Sequence, residues 1–508
     1  MKSVSTRRRA LSLAGASAII LGLAACTAVP EPLQTAEQQA LVAADRAVMF
    51  ADQQPLSGPV TIEEAIARAL KYNLDHRLMV MEEGLRAGQL DVASMDMLPR
   101  LTANAGYIVR DKDNVSVSRN TVTGVVSTQP SESQDRERNT ADLGLTWNIL
   151  DFGVSYFSAR QQADQVLIAA ERRRRVVNQI VQQVRGAYWR AATAERLHAE
   201  VVPVIAEARA ALRDAQQAES QRLMPPLDSL RYQKALLETL RELEILERDM
   251  TIAKSELAAL MNLPPGTAYS LALPSAGEMT VPTVTATVED LENLALLSRP
   301  ELREEAYQKR ISAAETRKAL LRLLPGITLN GGVNYDSNSY MLNNQWAEAG
   351  ARVSWNLMTL LSGPATMRVA EAQQEVGEAR RVALAMAVLT QVQVGYQQYL
   401  RARQVHEQAQ VLNAVEQRIY RHMTADGAAQ SPLERIRARV SAITSEVGQT
   451  RAYADVQNAA ANLFVSVGLS PLPDSVNSHD LPAVQAAVGD VLKRWNSGEV
   501  TPVAVAER

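Results

Sequence analysis

The chain has 508 residues, a formal net charge of −3, 4% aromatic residues and one cysteine. Its length would allow several globular domains, but so few aromatics, with Ala, Gln, Arg, Glu and Leu filling long stretches, fit long helices packed through small side chains better than a bulky core. The near-neutral charge, with no basic stripe interleaved with aromatics, excludes a general nucleic-acid binder, and a lone cysteine excludes an intrachain disulfide.

Lys2, Arg7, Arg8 and Arg9 precede an apolar run over 10–23, followed by Ala24, Ala25 and Cys26. Residues 1–25 read as a secretory signal peptide, because the run is too short to span a bilayer. Arg7-Arg8 stands without the rest of a twin-arginine motif, so the general secretory route is expected. Leu23-Ala24-Ala25-Cys26 resembles a bacterial lipobox. That resemblance implies that Cys26 is lipidated and begins the mature chain, and Thr27 fits outer-membrane sorting; the alternative is a chance cysteine beside a signal-peptidase site. Cleavage removes four positive charges and takes the net charge from −3 to about −7. No later stretch holds the roughly 18 apolar residues of a membrane helix, so any crossing must use strands.

After a segment over 26–60, the elements follow in order. A helix is expected over 76–98, a strand over about 100–110, a polar loop over 111–139 and a strand over about 140–150. A helix over 154–221 would be about 100 Å long, with Pro203 a possible bend, and a return helix covers 227–261. After a linker over 264–287 come a helix over 301–324, strands over about 327–336 and 347–357 around a short loop, helices over 365–425 and 433–467, and a last segment over 472–508.

The order repeats. Thr61-Ile62-Glu63-Glu64-Ala65 matches Thr287-Val288-Glu289-Asp290-Leu291, and Leu98-Pro99 matches Leu324-Pro325, both at an offset of 226. Trp147-Asn148 matches Trp355-Asn356, and Tyr188 matches Tyr396, both at 208. The drop of 18 between these offsets falls in the loop over 111–139. Met261-Asn262-Leu263-Pro264 and Val467-Gly468-Leu469-Ser470-Pro471 end the two halves. The halves are therefore 61–263 and 288–471.

Each strand alternates. Leu101, Ala103, Ala105, Tyr107 and Val109 oppose Thr102, Asn104, Gly106 and Arg110; Leu143, Leu145 and Trp147 oppose Asp142, Gly144 and Thr146. The second half repeats this, with Asp336, Glu348 and Arg352 on the polar side. A tilted membrane strand needs about 9–11 residues, and Tyr107, Trp147, Tyr335 and Trp355 sit near strand ends on the apolar side, where an interfacial girdle belongs. The polar side, carrying Arg110, Asp142, Asp336, Glu348 and Arg352, becomes the candidate barrel lumen. A soluble sheet with one buried face is the alternative. Four strands cannot close a membrane barrel, so the rest must come from other copies.

No zinc-type spacing, P-loop or nucleotide fingerprint is present, and neither an enzyme nor a cofactor is expected. Together, the export signal, lipobox, duplicated strand–strand–long-helix halves and Asn-Leu-Pro and Val-Gly-Leu endings resemble the TolC family of outer-membrane efflux proteins, in its lipoprotein branch, over nearly the whole mature chain. The resemblance implies an α+β membrane protein. It would be a homotrimer with a 12-stranded transmembrane β-barrel completed by trimerisation, four strands per chain, and a long periplasmic α-helical coiled-coil barrel. An equatorial collar would come from 27–60, 264–287 and 472–508. It further implies an export duct in the outer membrane lipid, working with a periplasmic adaptor protein and an inner-membrane transporter. The family's helix tips pair a glycine with a Leu-Asp-containing helix start. Here Gly427 precedes Leu433-Glu434, and Leu227-Asp228 follows Arg222 and Pro225-Pro226. Asp228, Arg231, Glu434 and Arg437 are thus the candidate periplasmic gate, although the two arginines depart from an acidic ring and first-turn acids are also what a helix dipole favours. A lipid-anchored periplasmic coiled-coil scaffold without a channel is the rival reading. The cargo is not encoded in these features.

Overall fold

The structure, a computed structural model, describes residues 32–51, 53–221, 225–272, 280–425, 432–471 and 480–499. The signal peptide and Cys26 lie outside them, as do Arg222 and Gly427. Residues up to Gln54 form a unit of their own; its described part holds helix α1 (Thr35–Met49), none of whose residues is buried.

From Pro55 onward the chain forms the second unit. Helices α2 (Ile62–Tyr72) and α3 (Leu74–Met95) lead to strand β1 (Arg100–Val109), the short strands β2 (Val115–Ser116) and β3 (Ser131–Glu132), and β4 (Glu137–Asn148). Helix α4 (Ile149–Ser220) has 72 residues, about 108 Å at 1.5 Å per residue, and α5 (Pro226–Leu260) returns beside it with 35. The order then recurs: α6 (Val288–Ser298), α7 (Pro300–Leu321), β5 (Gly326–Asp336), β6 (Gln345–Ser354), α8 (Met358–Thr424, 67 residues) and α9 (Pro432–Ser466, 35 residues). Helix α10 (Leu481–Ser497) follows. The fold is α+β and helix-rich, with a four-stranded antiparallel sheet in the order β1-β4-β5-β6 and a two-stranded one, β2-β3.

Local chemistry sets the boundaries. The expected second strand ran to about 150, but Asn148 Oδ1 accepts hydrogen bonds from the backbone N–H of Leu150 and Asp151, an N-cap that turns Ile149 into helix. Asn356 Oδ1 accepts from the Met358 N–H (3.1 Å) in a local turn just ahead of the helix, and β6 stops at Ser354 and not at 357. Both long helices therefore begin earlier than 154 and 365, directly behind the sheet. Pro203 lies inside α4 and Pro364 inside α8, and neither ends its helix.

The expected loop over 111–139 is a hairpin. β2 pairs with β3, and Arg119 bridges Val126 near its tip. Its base is tied to the short loop after β5. Asp135 N–H donates to Asn338 Oδ1 (3.1 Å), Asn338 Nδ2 donates to the Ser133 carbonyl (3.0 Å) and Tyr340 Oη donates to Glu132 (3.1 Å).

Helix α4 is flanked by α3 and α7 along its sheet-proximal half and by α5 and α9 beyond it. Ion pairs stitch both levels: Arg173 to Glu83 (2.7 Å) and Arg172 to Glu304 (2.6 Å) in the first, Arg209 to Glu244 (2.7 Å) and Arg439 to Glu207 (3.1 Å) in the second. Around mid-α4 lies the largest apolar core. It joins α2, the ends of α5 and α9, α10 and the extended segments near Val60, Leu271 and Val281. Tyrosines tie those segments down. Tyr188 Oη donates to the Ala272 carbonyl (2.5 Å), Tyr399 Oη to Pro282 (2.7 Å) and Tyr453 Oη to Thr280 (3.3 Å). Burial pushes the Tyr188 phenol well above its ordinary value. Tyr396, the sequence counterpart of Tyr188, packs at the edge of this core, and Tyr399 makes the anchoring bond one turn later.

The two half-endings are Schellman motifs. Asn262 (φ 58°) and Gly468 (φ 89°) occupy the left-handed position after α5 and α9. The N–H of Leu263 returns to the Ala258 carbonyl (2.9 Å), and that of Leu469 to Phe464 (3.1 Å). They differ in their surroundings: a Cβ on Gly468 would stand 2.7 Å from the Ser298 carbonyl carbon, at the α6–α7 junction. Asparagine tolerates the conformation but not that approach. Gly468→Ala is therefore expected to cost at least about 1–3 kcal/mol, whereas Asn262→Gly, which puts the residue best suited to that conformation in place, should change stability by under about 1 kcal/mol. Urea or thermal unfolding of the two variants checks this; equal effects would refute the close-packing argument.

Candidate channel wall and gate

Register places the strand residues on two faces. Asn104 pairs with Asp142 and Asp142 with Asn334, and the Asn104 amide donates to Asp142 at 2.8 Å. Thr102, Gly144, Gly332 and Glu348 form the next row on this side, and Thr328 and Arg352 another. Asp142, Glu348 and Arg352 thus share one polar face. Arg110, just beyond β1, hydrogen-bonds through its backbone N–H to the Arg136 carbonyl (2.8 Å). Asp336 stands apart from the open row. It is buried at the loop end of the sheet, where Arg138 pairs with it at 3.1 Å.

The other face carries Leu101, Leu143, Leu145, Leu329, Val333 and Val353, and none of the described residues covers it: Leu101 is 65% exposed and Val353 67%. A soluble sheet would bury this side. Tyr107 and Tyr335 mark its loop end, and Trp147 and Trp355 its helix end. Trp147 pairs with Leu329, six residues from Tyr335 on β5, a separation of about 20 Å at 3.4 Å per residue. Trp355 lies past the end of β6 and donates from Nε1 to the Leu323 carbonyl (3.0 Å). β1 and β6 each leave one edge without a strand partner among the described residues.

Two helices also expose apolar seams with heptad spacing. On α3 the seam is Leu74, Leu78, Met81, Leu85, Val92 and Met95; on α8 it includes Met358, Val369, Val376 and Met386. The sequence reading had not singled these out, although the alternating 3–4 spacing was visible.

At the far end of the helices, Asp228 and Arg231 lie exposed in the opening turns of α5, with the guanidinium 3.8 Å from the carboxylate. Glu434 lies in the first turn of α9 and Arg437 one turn on, both exposed. Each tip therefore presents an acid and a base of its own, and not acids alone. Among the described residues, no cluster of three or more His, Cys, Asp or Glu could hold a metal ion, and no helix is long and apolar enough to cross a membrane.

Between the tips and the sheet, His406 on α8 is buried against the Tyr453 ring, with centroids 5.7 Å apart. Burial lowers its pKa below the ordinary 6.5, against the smaller opposing pulls of the Gln449 backbone and the Glu407 carboxylate. The folded state thus favours neutral imidazole. This stabilisation is complete above the unfolded pKa and is lost as pH falls through 6.5 toward the lower folded value, at up to about 1.4 kcal/mol per pH unit. Glu446, raised by burial and then by Glu200, acts in the opposite sense, its contribution fading as pH rises. His406→Gln should flatten the loss of thermal stability between about pH 6.5 and 5 relative to the parent. An unchanged slope would place the titrating group elsewhere.

No protein-family model matches the sequence, and no curated protein matches it either. Solved structures do. The outer-membrane channel OprN superimposes with a TM-score of 0.62 at 16% identity, over 80% of this chain and 89% of that one. The open-state outer membrane channel MtrE of Neisseria gonorrhoeae gives 0.60 at 17%, over 87% and 98%. The outer membrane channel CmeC of Campylobacter jejuni gives 0.61 at 12%, over 91% and 98%. With the paired strands, the two long helices and their return helices all in place, the chain has the fold of these outer-membrane channels.

Proposed function

We propose that this chain is one subunit of a homotrimeric outer-membrane export duct of the TolC family, with two repeated halves that each supply two strands and one long helix. The observation that carries the reading is the sheet with both edges open and an uncovered apolar face. Lipid is the medium in which such a face is stable, and lipid tolerates no open edge. Strands β1 and β6 run in opposite directions, so β6 of one copy can pair antiparallel with β1 of the next. Three copies then close a 12-stranded barrel, and the seams on α3 and α8 meet across the same boundary below it. The Tyr and Trp rows stand at the two membrane interfaces, and Asp142, Glu348 and Arg352 line the lumen.

The helices extend into the periplasm, the tyrosine-tied core around mid-α4 forms the equatorial collar, and the tips meet an adaptor and an inner-membrane transporter that supplies the energy. Lipidation of Cys26 would anchor each subunit to the inner leaflet. Asp228, Arg231, Glu434 and Arg437 form a charged iris that narrows the resting pore. The uncovered sheet face counts against the scaffold alternative.

Outer-membrane fractions should yield a trimer that dissociates only on heating; a monomer released without detergent would favour the scaffold. In planar bilayers, Glu434→Ala combined with Arg437→Ala should raise single-channel conductance. Unchanged conductance would remove these residues from the gate.

A further inference from the structure

Register gives each charge on the polar sheet face a depth. Directly opposite residues on neighbouring strands share a face, so Arg100 joins that face through Thr146 and Asn330. With Asp142, Glu348, Arg352, Arg138 and Asp336 it completes the charges there on the four strands. Counted from the helix-proximal end of its strand, Arg100 is first in β1 and Arg352 third in β6. Asp142 and Glu348 are both seventh, in β4 and β6. Arg138 and Asp336 are both eleventh, in β4 and β5, and their ion pair (3.1 Å) neutralises them. Among the described residues none of the other four makes an ion pair. Arg100, Glu348 and Arg352 are exposed, and Asp142 is half-buried with the Asn104 amide on its carboxylate at 2.8 Å.

Each strand's own end is the proper origin, because the ends are staggered across the sheet. Arg100 pairs with Thr146 and not with Asn148, and Asn148 pairs with Thr328 and not with Gly326. Such an offset is what strands show when they tilt to close a barrel. β6 ends level with β5, Ser354 opposite Gly326, which moves Arg352 and Glu348 outward together and keeps their order. At 3.4 Å per residue and a tilt of about 40°, the arginine and acid levels lie roughly 10–15 Å apart along the barrel axis. That is at least the Debye length of about 10 Å at 0.1 M salt, so the two levels keep separate fields.

We propose that the barrel lumen carries two stacked layers of opposite charge, Arg100 and Arg352 on the periplasmic side and Asp142 and Glu348 outward of them, and that these four residues set its selectivity. This rests on the trimeric duct proposed above, in which every copy adds two charges to each layer. Rings of arginine favour anions and rings of carboxylate favour cations, so a solute of high net charge meets one repelling layer whatever its sign. Cargo of low net charge, zwitterions included, passes with least hindrance. Small ions obey the same field. With the outer side positive, cations enter through the acidic layer and anions through the arginine layer, and both accumulate in the lumen. The opposite voltage drains both. The pore therefore passes more current with its outer side positive.

Planar bilayers test this with the full-length protein added to one side, where the long helices must stay and so fix its orientation. In about 0.1 M KCl, current with the far side positive should exceed that at the opposite voltage by about twofold or more; in about 1 M KCl, where the Debye length is about 3 Å, the two should be nearly equal. Arg100→Gln combined with Arg352→Gln should remove the asymmetry and make the pore cation-selective in a salt gradient. Glu348→Gln, alone or with Asp142→Asn, should shift selectivity toward anions. A conducting pore with equal currents in the dilute salt, with asymmetry of the opposite sense, or with asymmetry that survives the two arginine substitutions overturns the proposal and leaves the duct standing. Absence of any conductance overturns the duct, and the layered lumen with it.

Discussion

Backbone N–H and C=O groups must find partners wherever water is excluded, and the outer edges of β1 and β6 have no strand partner among the described residues. The rest of the molecule is arranged around that deficit. Each of β1, β4, β5 and β6 is about the length a tilted membrane strand needs, its apolar side chains share one face, and its polar side chains, spaced by glycine, share the other. The helices repeat the theme in a different chemistry, because the seams on α3 and α8 are apolar yet exposed among the described residues. Sheet and helices each look half-finished, and a neighbouring copy would complete both along one boundary.

Much of this was legible because the signals are local. The Trp-Asn pairs at 147–148 and 355–356 combine an aromatic on the apolar side with an asparagine whose side chain accepts from the backbone N–H two residues on, and both features show in the sequence. The Asn-Leu-Pro and Val-Gly-Leu endings read as half-boundaries, and in the structure they are left-handed helix caps. The misplaced strand ends have the same origin. Alternation alone carried the second strand through Ile149, but the Asn148 cap, a two-residue interaction, overrides alternation there.

What could not be read depends on contacts far apart in sequence. Nothing near Asp135 announces Asn338, about 200 residues away, yet their hydrogen bonds lock the base of the hairpin. Only the fold brings Arg185 and Trp189 to one cavity with Glu63, more than 120 residues earlier in the chain. His406 likewise carried no signal beyond its identity, and its altered titration comes from the packing of α8 against α9. Asp336 shared the alternation of the other polar-face acids, but Arg138 on the neighbouring strand turns it into a clamp at the sheet's end.

The hairpin over 111–139 has a practical consequence. Its base is held by β2–β3 pairing and by the cross-loop bonds, while its tip is bare: Val122 is 91% exposed. Extra residues at the tip would hang from a clamped stalk without disturbing the strands below. With the proposed orientation that tip faces the outside of the cell. It is then a natural place to insert an epitope or dye tag, by which intact bacteria could be stained and the copies on each surface counted.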